Sequence, residues 1–402
     1  MGTGSIHPAE SVVARDPRSG ARVRQVTTHA SLHHHPFFYV PAYDDSGQRL
    51  FFVSHRTGAA QIFAEERGRG ELVQLTNCDG LDEWSLHPSH GGEHVYFTVG
   101  ASLRRVHVET FAEEELVNLG PETTQEAGTV GGAVGTTALS YDDRWWAVTI
   151  QVGDVARLVV LDTTSGRHEV VLECPTMFHP QFHPDDADLL RYASSHDQRL
   201  WVVERDGSDN RLAYARDVQK SEWITHETWL PGRRELIAVN WPHGVIGVDV
   251  DSGKCRRVAA FNAWHPSPNA AGTLMVTDTN HPDIGLHLFD PCDGVGVPRF
   301  LCHAGASNVG SHWHTDHCAY DDGPVSVYAP QHTHPHPHFS PDNRHVAFTS
   351  DRTGVAQVYE VELTAEVLGE RLASLAWGEK WGSVDPPAPG SRRIASGPNE
   401  SH

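Results

Sequence analysis

A short apolar run that follows a polar turn recurs along this chain at intervals of roughly 45 residues. The best internal match joins the two ends of the sequence, residues 54–63 (SHRTGAAQIF) and 350–359 (SDRTGVAQVY). Each copy predicts an antiparallel hairpin, because one apolar run precedes the turn and another follows it. The seven apolar runs lie near Leu50, Val95, Trp145, Leu189, Leu236, Leu274 and Val346. Short strands at this spacing are typical of the four-stranded blades of a β-propeller.

The two ends of the chain indicate how the ring of blades would close. Residues 21–27 (ARVRQVT) resemble residues 70–76 (GELVQLT), which we predict as the outer strand of the first blade. After the last repeat the chain continues into a candidate helix at 364–376 and supplies no such strand. We therefore predict an all-β, seven-bladed β-propeller that an N-terminal strand closes by joining the last blade, which removes an exposed edge. A β-sandwich or an open array of hairpins is the alternative interpretation.

This interpretation divides the chain into an N-terminal tail (1–20), a propeller domain (21–362), and a short helix with a tail that is expected to be disordered (363–402). The 31 Lys and Arg against 52 Asp and Glu give a net charge of −21. That charge argues against nucleic acid or an anionic membrane surface as a partner, since both need a positive field. No apolar stretch could span a membrane and the N-terminus does not resemble a secretory signal, so a cytoplasmic location is predicted.

The chain contains 29 histidines, and their clusters are the candidate sites of chemistry. In the segment 330–340 (PQHTHPHPHFS) the prolines exclude a helix, and alternate residues of an extended chain share a face. His334 and His336 would then lie about 7 Å apart and could bind one ion, with Gln331 nearby. His265 precedes the sixth blade as this segment precedes the seventh, so it is the candidate third histidine. Six scattered cysteines without a CxxC pair supply no thiolate site, so manganese, iron and zinc all stay admissible.

Two further residues would face the same rim of the ring. His226 lies in ITHETW, which enters the fifth blade, and Arg199 lies in the fourth blade. A metal ion, an arginine and a histidine at one rim would form a cationic pocket that selects a small anionic ligand. Histidine clusters also occur at 33–35, 179–183 and 312–317, for which contact with a ligand and simple packing at the rim are both open.

The segments QHTHPHPHFSPDNRHVAFTSD, ITHETWLPGRRELIAVN and RLWVVERDG resemble the oligogalacturonate lyases, over roughly residues 16–362. The resemblance implies a seven-bladed propeller with a manganese ion held by His265, Gln331, His334 and His336. It implies His226 as the catalytic base and Arg199 as a second catalytic residue. His34, which precedes the aromatic residues 37–39, and Arg56, in the first repeat, are the candidate substrate-binding residues. An insertion at 303–317 and three consecutive histidines at 33–35 depart from the family pattern around the binding face, so the exact substrate stays open.

The predicted function is a carbon–oxygen lyase of pectin degradation, which cleaves short oligogalacturonides by metal-assisted β-elimination to 4,5-unsaturated products. The metal and Arg199 would neutralise the substrate carboxylate, and neutral His226, with a pKa near the working pH, would remove the C5 proton. Two alternatives stay open. One is a metal-dependent enzyme acting on another anionic sugar, and the other is a non-catalytic propeller that binds proteins.

Overall fold

The computed structural model describes residues 2–120, 135–220, 222–280, 282–293, 297–307 and 333–378. Within them, seven antiparallel sheets of four or five strands form the blades of a propeller. The N-terminal segment contributes β1 (Ile6–His7), β2 (Val12–Arg15) and β3 (Arg22–Gln25). Blade 1 contains β4 (His33–His34), β5 (Arg49–Ser54), β6 (Gln61–Glu66) and β7 (Glu71–Gln74). Blade 2 contains β8 (His87–Pro88), β9 (His94–Val99), β10 (Ser102–His107) and β11 (Glu113–Asn118).

The remaining blades follow in chain order. Blade 3 contains β12 (Ala138–Leu139), β13 (Trp145–Val152), β14 (Val155–Asp162) and β15 (His168–Cys174). Blade 4 contains β16 (Phe178–His183), β17 (Asp186–Ala193), β18 (Leu200–Glu204) and β19 (Arg211–Tyr214). Blade 5 contains β20 (Trp223–Trp229), β21 (Glu235–Trp241), β22 (Gly244–Asp249) and β23 (Cys255–Ala259). Blade 6 contains β24 (Ser267–Pro268), β25 (Met275–Thr277), β26 (Leu286–Phe289) and β27 (Arg299–Cys302). Blade 7 contains β28 (His338–Phe339), β29 (His345–Ser350) and β30 (Gln357–Glu362).

The apolar runs of the repeat are the second strands of the blades. In β5, for example, Leu50, Phe51 and Phe52 are fully buried, as expected for a strand covered on both faces. The inner strands of five blades are only two residues long, which is too short to produce a hydrophobic pattern. The predicted seven-bladed architecture is confirmed. The inner strand of the last blade is the short β28, which precedes the apolar run.

The ring closes through the N-terminal segment. As predicted, β3 pairs with β30, with Val23 opposite Val361 and Arg24 opposite Glu360. In addition, β2 pairs with β3 outside blade 7, and β1 pairs with β7 outside blade 1. Residues assigned to a tail by the sequence therefore add a fifth strand to each blade at the seam. All four residues of β2 are exposed, so the sequence shows no alternation of buried apolar and exposed polar residues that would identify it as a strand.

A cluster of buried charges lies at this seam. Arg24 forms ion pairs with Glu65 of blade 1 and Glu360 of blade 7, and both glutamate side chains are only 1% exposed. Arg67 lies 3.1 Å from Glu360, which also accepts a 2.8 Å hydrogen bond from the hydroxyl of Tyr43. Although burial alone would raise it, the pKa of Glu360 is lowered to about 2 by the charges of Arg24 and Arg67. The first blade, the last blade and the N-terminal strand are thus joined by one ionic network.

The helix predicted at 364–376 corresponds to α1 (Ala365–Trp377), whose N-cap Thr364 accepts a hydrogen bond from the backbone N–H of Val367. It packs Leu368 and Leu372 against the core between blades 6 and 7. Short 3-10 helices occur at Glu83–Ser85 and Val218–Lys220. The tail after residue 378 lies outside the described residues. Among the described residues, no helix has the length and apolar character needed to cross a membrane.

The antiparallel order of the strands determines which loops share a rim. The first and third strands of a blade run in the same direction, so the loops that lead into them open on one rim of the ring. The loop before β24, the segment before β28 and the loop before β18 all belong to this rim. It therefore carries His265, His334, His336 and Arg199 together.

Candidate metal centre and active site

Three buried histidines from two blades converge at this rim. The side-chain nitrogens of His265, His334 and His336 that could bind a metal all lie within 4.8 Å of one another. The ring of His265 lies 4.3 Å from that of His336 and 5.1 Å from that of His334, measured between centroids. The ring of blades thus brings together side chains that lie about seventy positions apart in the sequence. The fourth predicted ligand, Gln331, lies outside the described residues.

The backbone of the histidine segment differs from the expected extended form. His336 has φ +46°, in the left-handed region that non-glycine residues rarely adopt. The carbonyl of His336 contacts His35 Nε2 at 2.7 Å, and the carbonyl of Pro335 accepts a 2.9 Å hydrogen bond from the N–H of Thr349. The two histidines therefore lie on a segment outside the strands whose backbone is fixed by hydrogen bonds to its neighbours, and they do not approach one another through simple alternation along a strand. Such unusual backbone conformations are concentrated at functional sites.

The nitrogen donors fit a divalent transition-metal ion. The Nε2 atoms of His265 and His336 are buried and have no hydrogen-bond partner among the described residues, an arrangement that is costly unless a ligand is bound. Burial, together with the neighbouring His265 and His334, holds the pKa of His336 well below its ordinary value. A metal requires neutral imidazole, so this environment keeps the ring in the form that binds. Imidazole ligands suit manganese, iron and zinc alike.

An aromatic cluster packs beneath the three histidines. The ring of Phe37 lies 4.8 Å from that of His336, and Phe38 lies 5.5 Å from His265. Trp84 lies 5.4 Å from His336 on another side. Residues 37–39 form an irregular segment and a turn after β4 and pack in one buried cluster with Trp84. This apolar floor excludes water and strengthens electrostatic interactions at the centre.

His226 lies beside the metal ligands. It occupies a bulge in β20 with φ +47°, and such bulges redirect side chains near active sites. Its ring lies 4.3 Å from the rings of both His265 and Trp264. Burial, followed by the charges of His265 and Arg199, holds the pKa of His226 well below its ordinary value. The lowered pKa keeps the imidazole in the neutral form that a general base needs.

Arg199 is held at the rim by the carboxylate of Glu227, which was not among the predicted site residues. The Nε of Arg199 lies 3.2 Å from Glu227, which is 1% exposed and also pairs with the fully buried Arg191 at 3.1 Å. Although burial would raise it, the pKa of Glu227 is lowered by Arg199 and Arg191. Glu227 follows His226 in a strand that is otherwise uncharged, and a buried charge of this kind needs a partner. The single acidic residue of this strand was visible in the sequence, but its burial and its arginine partners were not.

The two predicted substrate-binding residues have different surroundings. His34 packs on Trp84 with 4.3 Å between ring centroids, and its Nε2 lies 3.0 Å from Glu83, which His55 also contacts. Through Trp84, His34 lies next to the histidine centre. Arg56 instead forms a 2.7 Å ion pair with Glu10 of the N-terminal segment, and its side chain is 3% exposed. The structure therefore brings His34, but not the guanidinium of Arg56, to the edge of the centre.

The other histidine clusters are only partly described. His179 stacks on Phe37 at 4.9 Å and lines the same aromatic floor. His183 faces away and lies 3.0 Å from the carbonyl of Arg233. Residues 312–317 lie outside the described residues. A cavity of 650 Å³ opens on the opposite rim, next to the turns between the first and second strands of the blades. None of the candidate metal ligands His265, His334 and His336 lines it.

The ring of blades and the buried histidine cluster with its adjacent arginine and histidine define a β-propeller built around a candidate metal centre. A model of the oligogalacturonate lyase family matches residues 4–367. The chain therefore belongs to the oligogalacturonate lyase family, and the predicted family membership is confirmed.

Relatives with this name cover almost the whole chain. The oligogalacturonate lyase of Dickeya dadantii is 23% identical over 373 residues, which cover 86% of this chain and 94% of the relative. The oligogalacturonide lyase of Pectobacterium atrosepticum is 22% identical over 383 residues, covering 89% and 97%. The crystal structure of the oligogalacturonate lyase of Vibrio parahaemolyticus has a TM-score of 0.73 at 20% identity and covers 91% of this chain and 100% of the other. An oligogalacturonate lyase in complex with manganese has a TM-score of 0.76 at 21% identity, with the same coverage.

Proposed function

We propose that this protein is a lyase that cleaves short oligogalacturonates by β-elimination, with a manganese ion at the three-histidine centre. The observation that carries the proposal is the convergence of His265, His334 and His336 beside His226, in a chain that belongs to the oligogalacturonate lyase family. The solved relative that contains manganese supports this choice of ion. Gln331 is proposed as a fourth ligand on the sequence alone.

The difficulty of the reaction lies in the weak acidity of the hydrogen on C5 of the uronate. Its removal places a second negative charge next to the carboxylate, so positive groups at that carboxylate lower the barrier. Manganese, when bound by the three histidines, supplies part of this positive charge. Arg199 supplies the rest from the neighbouring blade, and Glu227 holds its guanidinium in place.

His226 acts as the general base in this proposal. Its neutral ring takes the C5 proton, and the electron pair of the C–H bond forms the double bond between C4 and C5. The bond between C4 and its oxygen breaks, and that oxygen leaves with the electron pair and takes up a proton from solvent. His226 then returns its proton to solvent, so no water is consumed. The aromatic floor under the site keeps the reacting groups away from bulk water.

Two alanine variants test the two roles separately. His226→Ala is expected to lower the rate of elimination by about 10²- to 10⁴-fold while manganese still binds, because only the base is removed. His334→Ala is expected to lose the ion and the activity together. Activity is followed by the ultraviolet absorbance of the unsaturated product, and bound manganese by elemental analysis. Full activity in His226→Ala would refute the assignment of the base, and turnover without an absorbing product would indicate a different reaction on the sugar.

A further inference from the structure

Asp278 lies directly behind one of the candidate metal ligands. It follows β25 in blade 6, and its side chain is 1% exposed. One carboxylate oxygen accepts a 2.7 Å hydrogen bond from the backbone N–H of His265, and the other lies 2.7 Å from Nδ1 of the same residue. We propose that Asp278 is a positioning residue, which fixes the proton of His265 on Nδ1 and directs its Nε2 lone pair at the metal. The inference rests on the proposed metal centre.

The two nitrogens of a neutral imidazole have different roles. Only one of them carries a proton, and the other has the lone pair that can bind a metal. An ionised carboxylate can only accept a hydrogen bond, so at 2.7 Å it requires the proton of His265 to be on Nδ1. The lone pair then belongs to Nε2, which is buried without a hydrogen-bond partner among the described residues. The contact with Asp278 therefore prepares His265 to bind a metal before any metal arrives.

The second hydrogen bond fixes the direction of the ring. Because one carboxylate contacts both the backbone and the ring of His265, it restrains the position of the residue and the rotation of its side chain. That orientation places the ring 4.3 Å from His336 and 5.1 Å from His334. An outer carboxylate that orients a ligating histidine in this way typically strengthens metal binding.

Asp278 also supplies charge that the ligands themselves lack. The three residues of the ligand group are all histidines, so among the described residues the group contains no carboxylate. Binding a dication to three neutral rings would leave two uncompensated positive charges in a buried site. The carboxylate behind His265 compensates one of them.

The Asp278→Asn variant tests this role with little change of shape. An amide has one accepting oxygen and one donating nitrogen, so it cannot accept hydrogen bonds from both N–H groups of His265 through separate atoms. If the oxygen keeps the backbone contact, the amide nitrogen faces Nδ1 and favours the tautomer with its proton on Nε2. That proton would point at the other two histidines and oppose the metal. The matched control is Asp283→Asn, since Asp283 lies in the same hairpin and accepts a hydrogen bond from the N–H of Gly285.

The experiment compares the full-length wild-type chain with both variants. Manganese titration by calorimetry is expected to show an affinity about 10- to 100-fold weaker in Asp278→Asn and unchanged in Asp283→Asn. Nitrogen-15 NMR of the metal-free chain is expected to show His265 protonated on Nδ1 in the wild type and on Nε2 in Asp278→Asn. A purely structural role for Asp278 would not move the proton.

The outcomes separate this inference from the proposed function. A wild-type chain that binds no manganese would overturn the metal centre itself, and the inference with it. A wild-type chain that binds manganese, with an equal affinity in Asp278→Asn, would overturn only the role of Asp278. If Asp278→Asn does not fold, the wild-type spectrum decides, because a His265 protonated on Nε2 contradicts the proposal.

Discussion

Removal of Arg24 should weaken the seam at which the propeller closes. In the Arg24→Met variant the apolar stem of the side chain is kept, but Glu65 loses the guanidinium with which it forms its ion pair. Glu360 keeps Arg67 at 3.1 Å and the hydroxyl of Tyr43. Most of the cost therefore falls on Glu65, a carboxylate that is 1% exposed and that, among the described residues, keeps no other ion-pair partner.

The expected loss of unfolding free energy in Arg24→Met follows from the burial of these charges. Breaking a buried ion pair by removing one partner costs about 3–5 kcal/mol of unfolding free energy. Arg24 is itself 20% exposed and one of its two partners keeps other contacts, so we expect the lower end, about 3 kcal/mol. Chemical denaturation followed by tryptophan fluorescence measures this change.

The same strand offers a matched control. Arg22 pairs with Glu362 at 3.4 Å, but the two side chains are 51% and 36% exposed. Because exposed ion pairs contribute little, Arg22→Met should cost less than about 1 kcal/mol. Adding Glu65→Gln to Arg24→Met should restore part of the loss, since a neutral amide is less costly to bury than an unpaired charge. Equal effects of Arg24→Met and Arg22→Met would refute the idea that buried charges stabilise the seam.

Three further predictions concern other parts of the molecule. The folded pKa of Glu360, about 2, lies below its ordinary value of 4.5, so its stabilising contribution is complete above pH 4.5 and is lost as the pH falls toward 2. Glu360→Gln should flatten this part of the pH–stability curve measured by denaturation, and an unchanged slope would contradict the assignment. Glu227→Gln should lower kcat/KM by about 10²-fold, because Arg199 loses the charge that positions it, while manganese affinity in a titration stays as in the wild type. A normal kcat/KM would show that Arg199 needs no such support. Gly207→Ala should destabilise the fold more than Gly58→Ala in thermal unfolding, because both glycines have positive φ but only at Gly207 would a Cβ meet a backbone oxygen, at 2.0 Å. Equal decreases in thermal stability would show that the close backbone approach at Gly207 does not affect stability.

The fold was predictable where strands are long and buried on both faces. The second strands, such as β5 and β29, carry uninterrupted apolar runs that recur from blade to blade. The inner strands β24 and β28 have two residues each and leave no such pattern. Strand β2 is exposed along its whole length. Its position depends on backbone hydrogen bonds to β3, which no pattern of side chains in the sequence indicates.

The sequence pointed to residues that converge at the candidate site, but not to the groups that support them. The residue type and the prolines around His334 and His336 pointed to a metal, and the matching position before another blade pointed to His265. The supporting carboxylates could not be located in the same way. Asp278 lies 13 residues from its histidine and Glu227 lies 28 residues from its arginine, and both contacts depend on side chains that meet across strands.

Strand β3 belongs to the final blade although it lies near the beginning of the chain. While the protein is being synthesised, residues 22–25 can pair with β2 at once, but their partner on the other side, residues 357–362, leaves the ribosome only much later. The nascent chain can assemble its earlier blades in order, but the hairpin of β2 and β3 keeps one open edge until the last blade has emerged. Completion of the circle is thus a late event of very high contact order, and during that interval the open edge of β3 is the place where a growing chain is most vulnerable to pairing with a neighbour.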